Sequence, residues 1–259
     1  MPYHHDTLFT RSTVTWRRVT LLRAAPRWSE PYRVQSPRLL VPLDDCFEVE
    51  LDGQRGAVAC DGATALWLTP AHTYRLRRPH GGRACMVIAF AVDAWPRAGR
   101  WALDLAHARQ LRAAAAWLRS GRADPLQVED MLHRWLAQVM APDTGPGVAH
   151  LAVERAREFI ASDPARADSL AVIARAAGCS SFHLARVFRR ATGRSLHAYR
   201  LQLRLTRALD RLHAGDRNLA ALALDLGFSS HSHFSAVFRG AFGSTPRALR
   251  TNLTAPPLH

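Results

Sequence analysis

The sequence predicts an α+β protein. A set of short strands and a pair of helices make up its N-terminal part, and an all-α C-terminal part uses one helical unit twice. Three observations predict this. HLARVFRRATG, residues 183–193, returns fifty residues later as HFSAVFRGAFG, residues 233–243, and a self-match at a fixed offset marks a repeated unit. Short apolar runs broken by turn signals fill residues 39–92. Between these parts lies APDTGPG, residues 141–147, where Pro and Gly suppress helix and strand together. With 259 residues, two domains are the natural count: residues 1–140 and 150–259, joined by a linker at 141–149.

The strands are expected at 39–43, 47–51, 56–60, 63–68, 74–78 and 85–92. Asp52-Gly53, Asp61-Gly62, Pro70-Ala71 and Pro79-His80-Gly81-Gly82 separate them. Short strands at this spacing form a sandwich or a small barrel. Helices follow at 101–119 and 125–140. Leu103, Leu111, Ala114 and Leu118 stripe the first, and Leu126, Met131, Leu132, Trp135, Leu136 and Met140 the second. Stripes this apolar need a partner surface, either the strands or a second protomer, so a homodimer is a possible partner. A barrel of this size holds one small molecule. Trp67, His72 and Tyr74 are the candidate liners for an unknown small-molecule effector, with core packing the competing role for Trp67.

In the C-terminal part, Asp168 or Ser169 caps a helix through Leu170, Ile173, Ala174 and Ala177, and Gly178 stops it. Ser180 or Ser181 opens the next helix after a very short turn. The second copy has the same frame. Leu219, Leu222, Ala223 and Leu226 form a helix ending at Gly227, and Ser229 or Ser230 opens its successor. Helix, tight Gly-containing turn and helix is the helix-turn-helix signature, whose second helix lies in the DNA major groove.

Leu184, Val187, Phe188 and Ala191 on one repeat, and Phe234, Val237, Phe238 and Ala241 on the other, are expected core positions. The opposite faces carry Phe182, Ala185, Arg186 and Arg189, and His231, Ser232, Ser235, Ala236 and Arg239. These are the candidate contacts to double-stranded promoter DNA, with Ser180, Ser181, Ser229 and Ser230 as helix caps near phosphate. Arg186 leads, because its planar fork matches the O6/N7 edge of guanine. Between the units, Ser195 caps a helix striped by Leu196, Tyr199, Leu203, Leu205, Leu209 and Leu212 and ended by Gly215. A rod of about 18 residues spans roughly 27 Å. Part of each unit added to it brings the readers near the ~34 Å of one DNA turn.

On these residues, 168–250 resemble the DNA-binding domain of AraC/XylS-type transcription regulators. The GFSSHSHF segment with FGSTP after it, Gly227 to Pro246, carries the most specific likeness. The resemblance implies a sequence-specific regulator, an activator that touches RNA polymerase, with no enzymatic activity and no cofactor. It also implies that the strand-rich half is the cupin-like effector and dimerisation domain. The family usually has Arg where Ala236 stands, so the second reader is expected to be the weaker one; it has Tyr where Leu249 stands, a tolerated packing swap.

Charge agrees with a nucleic-acid partner. The formal net charge is +14. Residues 150–259 hold 16 Arg against 7 acids, and residues 1–149 hold 19 Arg against 14. The excess is larger in the shorter half, where an electrostatic footprint belongs. Every cation is Arg. Cys46, Cys60, Cys85 and Cys179 have no CxxC spacing and read as buried thiols. No clustered His-x-His marks a metal site among the strands; His72 and His80 stand apart, and His4-His5 reads as a packed or unstructured pair. No phosphate loop, nucleophile elbow or HExxH occurs. There is no apolar run long enough for a membrane span, and MPYHHDTLFT lacks the apolar core of a leader, so the expected location is cytoplasmic, on the nucleoid. The alternative function is a small-molecule-binding or enzymatic cupin that its basic helical part only anchors.

Overall fold

The structure, a computed structural model, describes residues 3–11, 13–21, 27–43, 46–53, 56–78, 84–91, 98–121, 123–139 and 151–251. Ten strands are described: β1 (Tyr3–Thr10), β2 (Val14–Leu21), β3 (Tyr32–Arg33), β4 (Arg38–Pro42), β5 (Phe47–Leu51), β6 (Val58–Cys60), β7 (Thr64–Leu68), β8 (Thr73–Arg77), β9 (Ala84–Phe90) and β10 (Gly99–Ala102). They form two antiparallel sheets, one in the order β1-β2-β9-β4-β7-β10 and one in the order β3-β8-β5-β6. The six expected strands are β4 to β9. His80, Met140 and the linker 141–149 lie outside the described residues.

The larger sheet is covered on both faces. Leu40, Leu66, Leu68 and Cys85 point toward the smaller sheet with Phe47, Val49 and Leu51. Their neighbours one residue along, Leu39, Val41, Ala65, Trp67, Met86 and Ile88, meet the helices α1 (Leu105–Arg119) and α2 (Pro125–Val139). Period-two alternation sends successive side chains to opposite faces. Both faces are dry here, so β7 reads Thr-Ala-Leu-Trp-Leu and is buried throughout. Continuous apolar runs of this kind mark doubly covered strands.

The hairpin β1–β2 was not expected. At the edge, β1 pairs only with β2, and His4 to Thr7 are exposed, so no apolar run announces it. The helix expected at 101–119 begins later. Trp101 and Ala102 pair with Ala65 and Thr64 of β7. Asp104 then caps α1, its carboxylate accepting from the His107 amide at 2.8 Å. The apolar stripes of α1 and α2 pack on their own sheet through Leu111, Ala114, Val128, Leu132 and Leu136. Of the two partner surfaces expected for these stripes, the chain's own strands cover these residues.

The C-terminal part is helical: α3 (Leu151–Ser162), α4 (Leu170–Ala177), α5 (Ser181–Thr192), α6 (Leu196–His213), α7 (Leu219–Asp225), α8 (His231–Phe242) and α9 (Pro246–Thr251). Ser169, Ser180, Ser195 and Ser230 are the caps, each Oγ accepting an amide three residues on. This settles each expected pair: Asp168, Ser181 and Ser229 are not caps. Two stripes divide α6. Leu196, Tyr199 and Leu203 pack with α3, α4 and α5, whereas Leu205, Leu209 and Leu212 pack with α7 and α8. Two expected core positions are corrected: Ala191 and Ala241 are exposed. A methyl group there is too short to reach the core. In α8, Phe242 takes the place one residue on, its ring tilted against that of Phe238 with centroids 4.5 Å apart.

The two halves dock through polar contacts. Arg100 and Glu154 pair through two hydrogen bonds of 2.6 and 2.8 Å, and the Ala59 amide donates to the same carboxylate at 3.0 Å. The Tyr199 hydroxyl donates to Asp61, and Arg157 donates to that hydroxyl at 3.1 Å. Gln202 on α6 donates to the Leu103 carbonyl. Arg112 on α1 forks onto Asp210 of α6.

Candidate nucleic-acid interface

Each unit is a short helix, a tight turn and a longer helix. In the first, Gly178 ends α4 with φ +74°, a left-handed conformation that favours glycine. In the second, Gly227 has φ +76°, and a Cβ there would lie 2.2 Å from the Ala165 carbonyl oxygen. The turn of the second unit thus presses on the backbone of the α3–α4 loop, which leads into the first unit. Arg204 of α6 ties the same place together. It donates to the carbonyls of Pro164 at 2.6 Å, Ala165 at 2.9 Å and Gly227 at 2.9 Å. Burial lowers its pKa, with Arg200 adding to the effect. Arg200 donates twice to the Asp168 carbonyl at 3.0 Å. Arg204 thus ties the second unit's turn to the loop that leads into the first, and Arg200 ties that loop to α6, roles that sequence reasoning missed. No residue pattern distinguishes an Arg that will reach three carbonyls from one that faces water.

The expected contact residues are spread as follows. On α5, Phe182, Arg186 and Arg189 are exposed, Phe182 to 82%, and Ala185 is half-buried. On α8, His231, Ser232, Ala236 and Arg239 are exposed and Ser235 is half-buried. Neither helix contains an acidic residue. Their charge differs, though: α5 adds Arg190 to Arg186 and Arg189, while α8 has Arg239 alone. The start of α8 is internally bonded. Ser229 Oγ lies 2.9 Å from His233 Nδ1, and Ser235 Oγ lies 3.4 Å from His231 Nε2. The Ser180 and Ser230 hydroxyl oxygens accept the His183 and His233 amides at 3.3 and 3.1 Å. In the first turns Phe182, His231 and Ser232 are exposed and Ser181 is half-buried, and a helix N-terminus favours anions.

The expected effector residues do not converge. Trp67 is fully buried against Phe90, with ring centroids 5.8 Å apart. Tyr74 packs on Tyr32 on the side of the smaller sheet. His72 Nδ1 lies 2.9 Å from Thr69 Oγ. Cys46, Cys60 and Cys85 are buried and Cys179 is half-buried, all as free thiols. Burial foremost pushes the Cys60 thiol up to about 12, so it is protonated and inert at neutral pH. Among the described residues, no group of three or more His, Cys, Asp or Glu could hold a metal ion, and no helix is long and apolar enough to cross a membrane.

Comparison with known proteins centres on the same helices. A helix-turn-helix domain family matches residues 173–252. The probable transcription factor PqrA of Proteus vulgaris is 37% identical over 87 residues, which are 34% of this chain and 71% of that protein. The regulatory protein SoxS of Salmonella typhimurium is 39% identical over 82 residues, 32% of this chain and 77% of its own length. A solved transcriptional regulator with an AraC-type DNA-binding domain, from Chromobacterium violaceum, is 31% identical. It covers 40% of this chain and 94% of that one, with a TM-score of 0.39. These relatives are regulators and not enzymes. The chain belongs to the AraC-type family of helix-turn-helix, DNA-binding transcription regulators.

Proposed function

We propose that the chain reads DNA with α5 and α8 in successive major grooves on one side of a duplex. One observation carries this reading. Two exposed, acid-free helices follow tight turns at either end of α6, and Arg204 clamps the units together. The 18 residues of α6 make a rod of roughly 27 Å, which suits readers one helical turn apart. The contacts are assigned to Phe182, Ala185, Arg186 and Arg189 in the first half-site. His231, Ser232, Ser235, Ala236 and Arg239 serve the second, with Ser180, Ser181, Ser229 and Ser230 at the helix starts lying near phosphates. Phosphate contacts position the protein and base contacts give it preference.

The same proposal divides the chain into a cupin-like effector half at 1–140, a linker at 141–149 and a reader at 150–259. The first half senses a small molecule in the cytoplasm, and the reader activates transcription through RNA polymerase. Homodimerisation is part of the reading and is checked by sedimentation of the full chain. The main experiment is a hydroxyl-radical footprint on a site selected from random DNA. Two protected stretches one turn apart per bound protomer are expected; a single protected groove overturns the two-reader model.

A further inference from the structure

A cavity of about 460 Å³ lies where the larger sheet and α1 meet the C-terminal end of α6. Its charged and ionisable walls are Arg18 from β2, Arg112 and Arg119 from α1, and Asp210, Arg211 and His213 from α6. Leu8, Leu43 and Met86 give it an apolar side. Every element that bounds it thus belongs to one or other docked half.

We propose that this cavity binds a small organic dianion, a carboxylate or phosphate ester with an apolar body, and that its occupancy adjusts how the N-terminal half holds α6. The charge inventory is the first support. Asp210 is engaged by Arg112 at 2.7 Å, and Arg211 is paired with Asp216 and Asp225. Burial foremost, and then the nearby Arg18 guanidinium, lower the Arg119 pKa. Asp6, opposite Arg18 on the β1–β2 ladder, offsets part of this lowering. Four guanidiniums and the single Asp210 carboxylate line the cavity, while Asp6, Asp216 and Asp225 lie outside its lining, so the wall itself is net positive, and guanidinium forks match carboxylate and phosphate oxygens.

Unmet hydrogen-bonding capacity is the second support. Both His213 ring nitrogens and Arg18 Nε are buried without a hydrogen-bond partner, and buried polar groups are ordinarily paired. Burial, then Arg112 and Arg119, lower the His213 pKa to about 4, so the ring is neutral at pH 7. An anion between these groups would satisfy the ring, relieve the arginines and draw a proton onto His213. Size is the third support, since 460 Å³ falls in the range of small-molecule sites. A ligand that touches both halves binds the docked arrangement preferentially, and so must shift any equilibrium that loosens it.

Titration calorimetry of the full chain with phenyl phosphate and with phthalate at fixed ionic strength tests the site, with benzyl alcohol as the neutral counterpart. Saturable binding of at least one dianion, weakened tenfold or more by Arg18→Gln or Arg119→Gln and unchanged by Arg134→Gln on the exposed face of α2, is expected. Which dianion binds more tightly separates the phosphate from the carboxylate source. The His213 imidazole, followed by NMR and assigned with His213→Ala, should titrate at a higher pH when the dianion is bound. Far-UV dichroism of each variant guards against misfolding. Binding of neither dianion, or binding that survives both Arg18→Gln and Arg119→Gln, overturns the site. The regulatory half of the inference rests on the DNA-binding reading and has its own readout, a threefold or greater change in DNA affinity at saturating dianion. Dianion binding with unchanged DNA affinity overturns the coupling alone. A chain that binds the dianion but no DNA overturns the proposed function and leaves the site standing.

Discussion

The Arg112 guanidinium holds the Asp210 carboxylate by two hydrogen bonds of 2.7 and 3.0 Å, and it also reaches the Pro42 carbonyl at 3.3 Å. One side chain thus joins α1, the end of β4 and α6. Arg112 is 2% exposed, so a partnerless guanidinium there would remain desolvated. Removing one member of a buried pair costs about 3–5 kcal/mol. Asp210→Ala is expected to lower stability by this order in chemical denaturation, and Arg112→Met/Asp210→Ala to recover part of it. A loss under about 1 kcal/mol for the single change would show that water reaches the pair.

Gly227→Ala should be far more damaging than Gly243→Ala, although both glycines have positive φ, +76° and +70°. The left-handed conformation costs an alanine about 1–2 kcal/mol at either place. At Gly243 nothing lies within 4 Å of the added carbon, whereas at Gly227 it meets Ala165 backbone. Thermal melts should give a small shift at Gly243 and loss of the second unit's cooperative unfolding at Gly227. Equal shifts would show that the turn does not press on the α3–α4 loop.

Arg186→Ala should cost roughly 1–3 kcal/mol on the selected site and relax preference at one base position. Arg186 is exposed on the first half of α5. Competition binding against a library of single-base variants measures both quantities. Unchanged affinity with unchanged preference would make Arg186 ordinary surface.

The second reader should contribute less base preference than the first. Ser232, Ser235 and Ala236 offer short side chains, and Arg239 is the only cation of α8. Scrambling the half-site under α8 is therefore expected to weaken binding less than scrambling the one under α5. The relative information in the two halves of a selected motif decides this, and a richer α8 half contradicts it.

Acid should weaken the docking of the two halves through Glu154. Burial alone would raise its pKa, but the bonds from Arg100 prevail and hold it below 4.5. The unfolded carboxylate therefore takes up its proton at higher pH than the folded one. Stability from this pair is fully present above about pH 4.5 and falls as pH drops through the folded value. Glu154→Gln should lose about 2–4 kcal/mol at pH 7, and its deficit relative to the native chain should narrow toward pH 3. A constant deficit across that range would exclude ionisation as the cause.

The repeat and the glycine turns made both helical units legible in the sequence, with three of the caps left one residue open until the fold settled them. Ser180, Ser195 and Ser230 act on amides three residues away, and Leu184, Phe188, Phe234 and Phe238 follow the helical period, so both are local rules that a sequence displays. The strands β4 to β9 were equally legible: in the larger sheet, burial on both faces left apolar runs such as Thr64–Leu68, and in the smaller one β5 and β8 alternate apolar with charged residues between turn signals. Tertiary structure alone decided the rest. The edge strand β1 takes its conformation from pairing with β2 rather than from any pattern of its own. Trp101 reads as helix by its neighbours, but β7 captures it. Ala191 and Ala241 keep the helical period and still face water, because only a long side chain reaches the core from there. Arg100, Arg112 and Arg204 look alike in the sequence as three of its 35 cations. Their work as clasps rests on partners 54, 98 and 40 residues distant along the chain, and only the folded chain can bring a guanidinium to such a partner.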